Sequence, residues 1–246
     1  MTDSVSPAFG RAIVSADAQA MARAAASWFV EHLRGTEGTY RIALSGGSTP
    51  KTFFRLISGP DYREWIGWDR LQIFWGDERF VPHDDPDSNF RMAQETLLSR
   101  VPIPAANIHP IPFEGTSDDA ARSYETTLQG LYGATAFDPA RPLFDLNLLG
   151  IGPDGHTASL IPGEPVLDER ERWVAAVDHG RPEPRITLTY PALESSRVIA
   201  FLATGPEKTE AVRAARAGDP AMPAGRLKPH GELLWFLDHA AAGEAG

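Results

Sequence analysis

Leu143-Phe144-Asp145-Leu146-Asn147-Leu148-Leu149-Gly150-Ile151-Gly152-Pro153-Asp154-Gly155-His156-Thr157-Ala158-Ser159-Leu160 joins an apolar run to a glycine-rich turn. The run Leu143 to Leu149 reads as a buried strand, the kind that sits inside a parallel sheet. The glycines let the backbone turn sharply and come close to a ligand. The same turn presents a carboxylate, Asp154, and an imidazole, His156. A lone histidine is more often a satisfied core residue. Here the glycines, the neighbouring acid and the strand end argue for function, because open α/β sheets place their chemistry at the carboxyl ends of strands. Gly150-x-Gly152-x-x-Gly155 also matches a dinucleotide fingerprint, with Asp178 at a suitable distance. Pro162, Gly163 and Pro165 break the crossover helix that such a site requires, so no nucleotide cofactor is expected.

Outward from this stretch, strand and helix signals alternate. Strands are expected at Arg11 to Val14, Tyr40 to Leu44, Leu71 to Trp75, Trp173 to Val177, Arg185 to Thr189, Val198 to Thr204 and Leu233 to Leu237. Ser15 is a candidate cap for a helix over Ala16 to Arg34, and Ser88 for one reaching about Ser99. Pro50 suits the first turn of a helix ending at Ile57. Further helices are expected from Ser117 to about Tyr132, over Glu207 to Ala217, and as a fraying end at Ala240 to Gly246. The proline-rich connector Pro102 to Pro112 has room for a short strand at Asn107 to Pro110. The alternation predicts an open, mainly parallel α/β sheet with helices on both faces. Residues 1–246 read as one domain, with 102–142 as a subdomain insertion or an elaborated connection.

Composition narrows the function. The formal net charge is −10, which argues against a nucleic-acid or anionic-membrane surface. The chain has no cysteine, so thiolate nucleophiles, disulfides and cysteine-based zinc sites are excluded. That absence fits a reducing cytosol, and a cytoplasmic location is expected. Met1 to Gly10 lacks the features of a secretory signal, and no apolar run approaches the roughly 20 residues of a membrane helix. His83, His109, His179 and His230 form no ligand spacing, so no metal is expected.

Two more strand ends carry polar chemistry. Ser45-Gly46-Gly47-Ser48-Thr49 lies between a strand and a helix start. Free N–H groups and the helix dipole favour an anion there, most simply a phosphate. The same segment also reads as a tight turn with Thr49 as N-cap. Trp75-Gly76-Asp77-Glu78-Arg79-Phe80 follows the strand Leu71 to Trp75, and Arg79 can meet a carboxylate or phosphate with its fork of donors. Arg185 opens one strand, and Lys208 stands at a helix start, where a cation is disfavoured unless it meets an anion.

LSGGSTP, WGDERFVP, SNFRMAQETLL, GIGPDGHTASLIPG, RITLTYPAL and GPEKTEAV occur in that order. Together they resemble the motif set of the 6-phosphogluconolactonases, within the larger superfamily that includes glucosamine-6-phosphate deaminase. The resemblance runs from about Ile42 to Asp238. It implies a Rossmann-like fold without a nucleotide, His156 as general base, and Asp77 and Arg79 as the catalytic positions of the GDER segment. It implies that Ser45, Gly46, Gly47, Ser48, Thr49, Arg185 and Lys208 hold a sugar phosphate. The related deaminases carry a glutamate where Ile161 stands here, which favours the lactonase. Pro223-Ala224-Gly225-Arg226-Leu227 departs from the pattern, with Gly225 and Arg226 where small or uncharged residues are expected.

The residues suit lactone hydrolysis. No G-x-S-x-G elbow is present, so direct attack by water is expected rather than an acyl-enzyme. Neutral His156 can accept a proton near neutral pH. Asp154 or Asp77 orients the imidazole or the water, and Arg79 or backbone N–H groups stabilise the oxyanion. The expected partner is a small sugar-phosphate lactone bound by a monomer. The alternatives are a deaminase-like sugar-phosphate isomerase and a non-catalytic sugar-phosphate sensor.

Overall fold

The computed structural model describes residues 10–178 and 183–244. His179, most of Met1 to Gly10 and the last two residues of the expected C-terminal helix lie outside this range. Six parallel strands form the main sheet: β1 (Arg11–Ser15), β2 (Tyr40–Leu44), β3 (Leu71–Trp75), β5 (Phe144–Leu149), β8 (Ser196–Ala203) and β9 (Glu232–Asp238). Their order is β1-β9-β8-β5-β2-β3, and every pairing is parallel. The inner strands are buried nearly throughout, as strands covered on both faces must be. Helices α1 (Ala18–Arg34), α2 (Ser48–Ile57), α3 (Asn89–Thr96), α5 (Tyr190–Glu194), α6 (Thr209–Arg216) and α7 (His239–Ala242) flank it. The expected open parallel α/β sheet is therefore present.

A second, antiparallel sheet was not anticipated. It consists of β4 (Asp77–Arg79), β7 (Arg185–Leu188) and β6 (Val174–Val177), in the order β4-β7-β6. Helix α4 (Ser117–Tyr132) packs on β6 and β7. Asp77 pairs with Thr187 and Arg79 with Arg185, so this small sheet brings two distant site segments into register.

Several boundaries differ from expectation. Ser15 does not cap α1, because β1 extends through it to pair with Asp238; Asp17 caps instead, accepting from Ala20 N at 2.7 Å. Helix α2 starts two residues earlier than Pro50, with Gly47 at its N-cap. Pro50 still falls in the first turn, where its missing N–H costs nothing. Thr49 is therefore inside the helix and not its cap. Helix α3 ends at Thr96, followed by a 3₁₀ turn at Leu98–Arg100. The strand expected at Asn107 to Pro110 is reduced to one bridge between Ile108 and Ile73, after a 3₁₀ turn at Ala105–Asn107. Helix α4 begins at Ser117, but Thr116 is its cap and forms a capping box with Asp119. Lys208 ends the 3₁₀ turn Pro206–Lys208 that precedes α6.

Candidate functional site

The strand order places β2 between β3 and β5, so the chain leaves β2 and β5 in diverging directions. Ligands bind in the crevice that such a divergence opens at the carboxyl ends of the strands. A cavity of about 210 Å³ lies there. Ser45, Gly46, Gly47, Ser48 and Thr49 line it after β2, Asp77 and Arg79 from β4, and His156 from the turn after β5. Arg185 of β7 and Lys208 complete the set. The structure thus gathers every expected site residue around one cavity except Asp154, which stands behind His156.

The turn after β5 is shaped around the imidazole. Gly152 N donates to His156 O at 2.8 Å, and Gly155 N donates to Gly152 O at 2.9 Å. A Cβ on Gly152 would lie 2.1 Å from His156 Nδ1 and 2.6 Å from Asp154 Oδ1, so only glycine lets the ring rest against the backbone. His156 Nδ1 and Asp154 Oδ1 are 2.5 Å apart. Partial burial works to raise the Asp154 carboxyl, but the hydrogen bond and charge of His156 outweigh it and hold the group below the ordinary aspartate value. The ionised carboxylate that accepts this hydrogen bond is lost as pH falls through that lowered value. Two residues on, Ala158 adopts φ +48°, a left-handed conformation unusual for a residue with a Cβ. The tight turn carries Ser159 inward, where its Oγ donates to Asp77 Oδ2 at 2.7 Å. The two candidate carboxylates thus separate: Asp154 holds the imidazole, and Asp77 is held by Ser159.

The α2 N-terminus has no side-chain cap, and Gly47 takes φ +103° to start the helix. Its first N–H groups and dipole are left for an anion. Lys208 and Arg185 line the same cavity, although the chain is acidic as a whole. Arg185 is only 8% exposed, with Nη2 3.8 Å from Glu183 Oε1. Arg79 Nη1 donates to Asp87 O at 2.5 Å, while its buried Nε has no hydrogen-bond partner among the described residues.

The segment Pro223 to Leu227 has a structural account. A Cβ on Gly225 would come within 2.7 Å of Asp219 O and 3.2 Å of Ala215 Cα, so its glycine permits close packing on α6. Arg226 Nε donates to Pro220 O at 2.6 Å. Ala224 N donates to Gly155 O at 3.0 Å, which buttresses the histidine turn from behind.

Two residues of this region carried no sequence signal of their own. Asn89, the first residue of α3, lines the cavity. Glu78 is 2% exposed, and its carboxylate accepts from Arg79 N, Ser88 Oγ, Asn89 N and Phe90 N at 2.8, 3.0, 2.7 and 2.7 Å. Burial raises its carboxyl above the ordinary value, against the pull of those four donors.

An α/β sheet with an anion-ready helix start and an acid–histidine turn at its switch point defines a sugar-phosphate enzyme class, and the comparisons agree. Residues 16–235 match the family described as glucosamine-6-phosphate isomerases/6-phosphogluconolactonase, and the chain belongs to that family. It is 42% identical over 212 residues to a 6-phosphogluconolactonase of Nostoc sp., covering 85% of each chain. It is 40% identical over 213 residues to chloroplastic 6-phosphogluconolactonase 3 of Arabidopsis thaliana, covering 83% of this chain and 65% of that longer relative. The solved structure of 6-phosphogluconolactonase from Trypanosoma cruzi superimposes with a TM-score of 0.83 at 29% identity, over 95% of this chain and 96% of that one.

Proposed function

We infer that this chain hydrolyses 6-phosphoglucono-1,5-lactone to 6-phosphogluconate, the lactone-opening step of the oxidative pentose phosphate pathway. The observation that carries this reading is the Asp154–His156 contact of 2.5 Å at the wall of a cavity that also holds three cations. With Nδ1–H donating to Asp154, Nε2 is left as an acceptor for a proton from water. Water attacks the C1 carbonyl and gives its proton to His156. The tetrahedral intermediate collapses with cleavage of the C1–ring-oxygen bond, and His156 returns the proton to the departing oxygen. Asp77 accepts from Ser159 through one oxygen, which leaves the other to orient the water. Arg79 stabilises the oxyanion. The N-terminus of α2, Arg185 and Lys208 hold the 6-phosphate. In this reading the enzyme acts as a cytosolic monomer. Trp65 and Leu131 are the exposed large apolar side chains among the described residues, which leaves little for a permanent interface.

The primary test is hydrolysis of freshly generated 6-phosphogluconolactone, corrected for spontaneous opening. Release of ammonia from glucosamine 6-phosphate without lactone hydrolysis would favour the deaminase instead. Direct water attack makes a further prediction. A single turnover in ¹⁸O-labelled water, with enzyme in excess, should place label in the product carboxylate, and EDTA should leave the rate unchanged. Label retained on Asp77 or Asp154, a trapped ester by mass spectrometry, or EDTA inactivation reversed by a metal would refute it.

Asp154→Asn should lower kcat by about 10–100-fold, the usual cost of losing the partner that sets a histidine's orientation. A parental kcat in the folded variant would show that Asp154 does not act on His156.

A further inference from the structure

Asn89 is 4% exposed, yet it lines the cavity. Its Nδ2 donates to Asp77 O at 3.0 Å, which fixes the direction of the amide. The other end, Oδ1, accepts no hydrogen bond from the described residues. It lies against Gly46, where a Cβ would come within 2.0 Å of it. Asn89 is buried but lines the cavity, and a ligand that displaces water from this oxygen must supply a donor or leave it unsatisfied. An amide oxygen is an acceptor only. It is therefore mismatched to a phosphate oxygen or a lactone carbonyl and matched to a hydroxyl.

The backbone of Asn89 is fixed in turn by Glu78. That carboxylate, reaching from β4, takes the N–H groups of Asn89 and Phe90, two of the orphan donors at the start of α3. It also takes the Ser88 hydroxyl, whose oxygen caps Arg91 N at 3.1 Å. Glu78 thus joins the strand that carries Asp77 and Arg79 to the helix that carries Asn89.

We propose that Asn89 contacts a ring hydroxyl of the sugar through Oδ1, and that Glu78 is the positioning residue that holds it there. This rests on the lactone-hydrolysis reading of the same cavity, and it names which part of the substrate this wall reads. Asn89→Ala should raise KM by about tenfold, the loss of one good hydrogen bond, with kcat little changed. Among 2-, 3- and 4-deoxy 6-phosphogluconolactones, one should be bound equally by the parent enzyme and Asn89→Ala. Glu78→Gln keeps one acceptor oxygen and presents an NH₂ to the remaining donors. It should raise KM by a smaller factor, and that factor should disappear when it is combined with Asn89→Ala. Ser88→Ala removes one donor to Glu78 together with the cap on Arg91 N, and gives the same comparison if Glu78→Gln does not fold. A parental KM for Asn89→Ala, a tenfold gap retained on all three deoxy substrates, or effects of Glu78→Gln and Asn89→Ala that multiply would each overturn the proposal. If His156→Ala instead retains full kcat, the base assignment fails while the KM results still decide the role of Asn89.

Discussion

Replacing His156 by alanine is expected to lower kcat by roughly 10²–10⁴, the range for loss of a general base, while leaving KM for the phosphorylated lactone near its parental value. The reason lies in the turn. The imidazole lines the cavity wall, and the sugar-phosphate groups assigned to binding come from other elements, α2, β7 and the 3₁₀ turn before α6. Removing the ring leaves those intact. The backbone of the turn is held independently by Gly152 N to His156 O, by Gly155 N to Gly152 O and by Ala224 N to Gly155 O. A folded variant should therefore still bind 6-phosphogluconate, which equilibrium dialysis or calorimetry measures. Near-normal turnover in that folded variant would remove His156 from the mechanism.

Lys208→Ala is expected to raise KM for 6-phosphogluconolactone by about 10–100-fold, the loss of one charge-assisted contact in a partly desolvated site. Unphosphorylated gluconolactone should be affected by less than about twofold, because it has no anion to lose. The comparison of two substrates isolates the phosphate, since a general disturbance of the cavity harms both. Raising ionic strength should shrink the difference, as the remaining cations are screened. Equal losses on both substrates would place Lys208 outside the phosphate site.

The strands Tyr40–Leu44 and Leu71–Trp75 were legible to the residue because each is a short apolar run between polar breaks. Strand β4 was not. Asp77-Glu78-Arg79 has no apolar alternation, and it is a strand only because β7, more than a hundred residues away, pairs with it. The same gap hid Glu78. The aromatic residues around the three charges point to a partly buried site, but nothing local singles out Glu78, whose burial exists only once α3 closes over it. His156, the SGGST loop, Arg185 and Lys208 were legible because glycine, hydroxyl and charge at strand ends are local signals. The separation of Asp154, against the imidazole, from Asp77, against Ser159, was not, because it depends on Ser159 being turned inward by the left-handed Ala158. Ser15 failed as a cap for a similar reason: the propensity is real, but pairing with Asp238 takes precedence.

Among the described residues strand β1 pairs only with β9, Arg11 opposite Leu234 and Ser15 opposite Asp238. On the ribosome, β1 waits for β9. At typical elongation rates the interval is roughly 10–45 s, long compared with the formation of any helix in the chain. Throughout it, the ladder groups of β1 lack their β9 partner, and α1, which packs on β9 as well as on β1 and Tyr40 of β2, lacks part of the sheet that supports it. The nascent chain therefore carries β1 without this partner through the synthesis of more than two hundred residues, and the β1–β9 edge of the sheet forms only when Leu233 to Asp238 clears the exit tunnel.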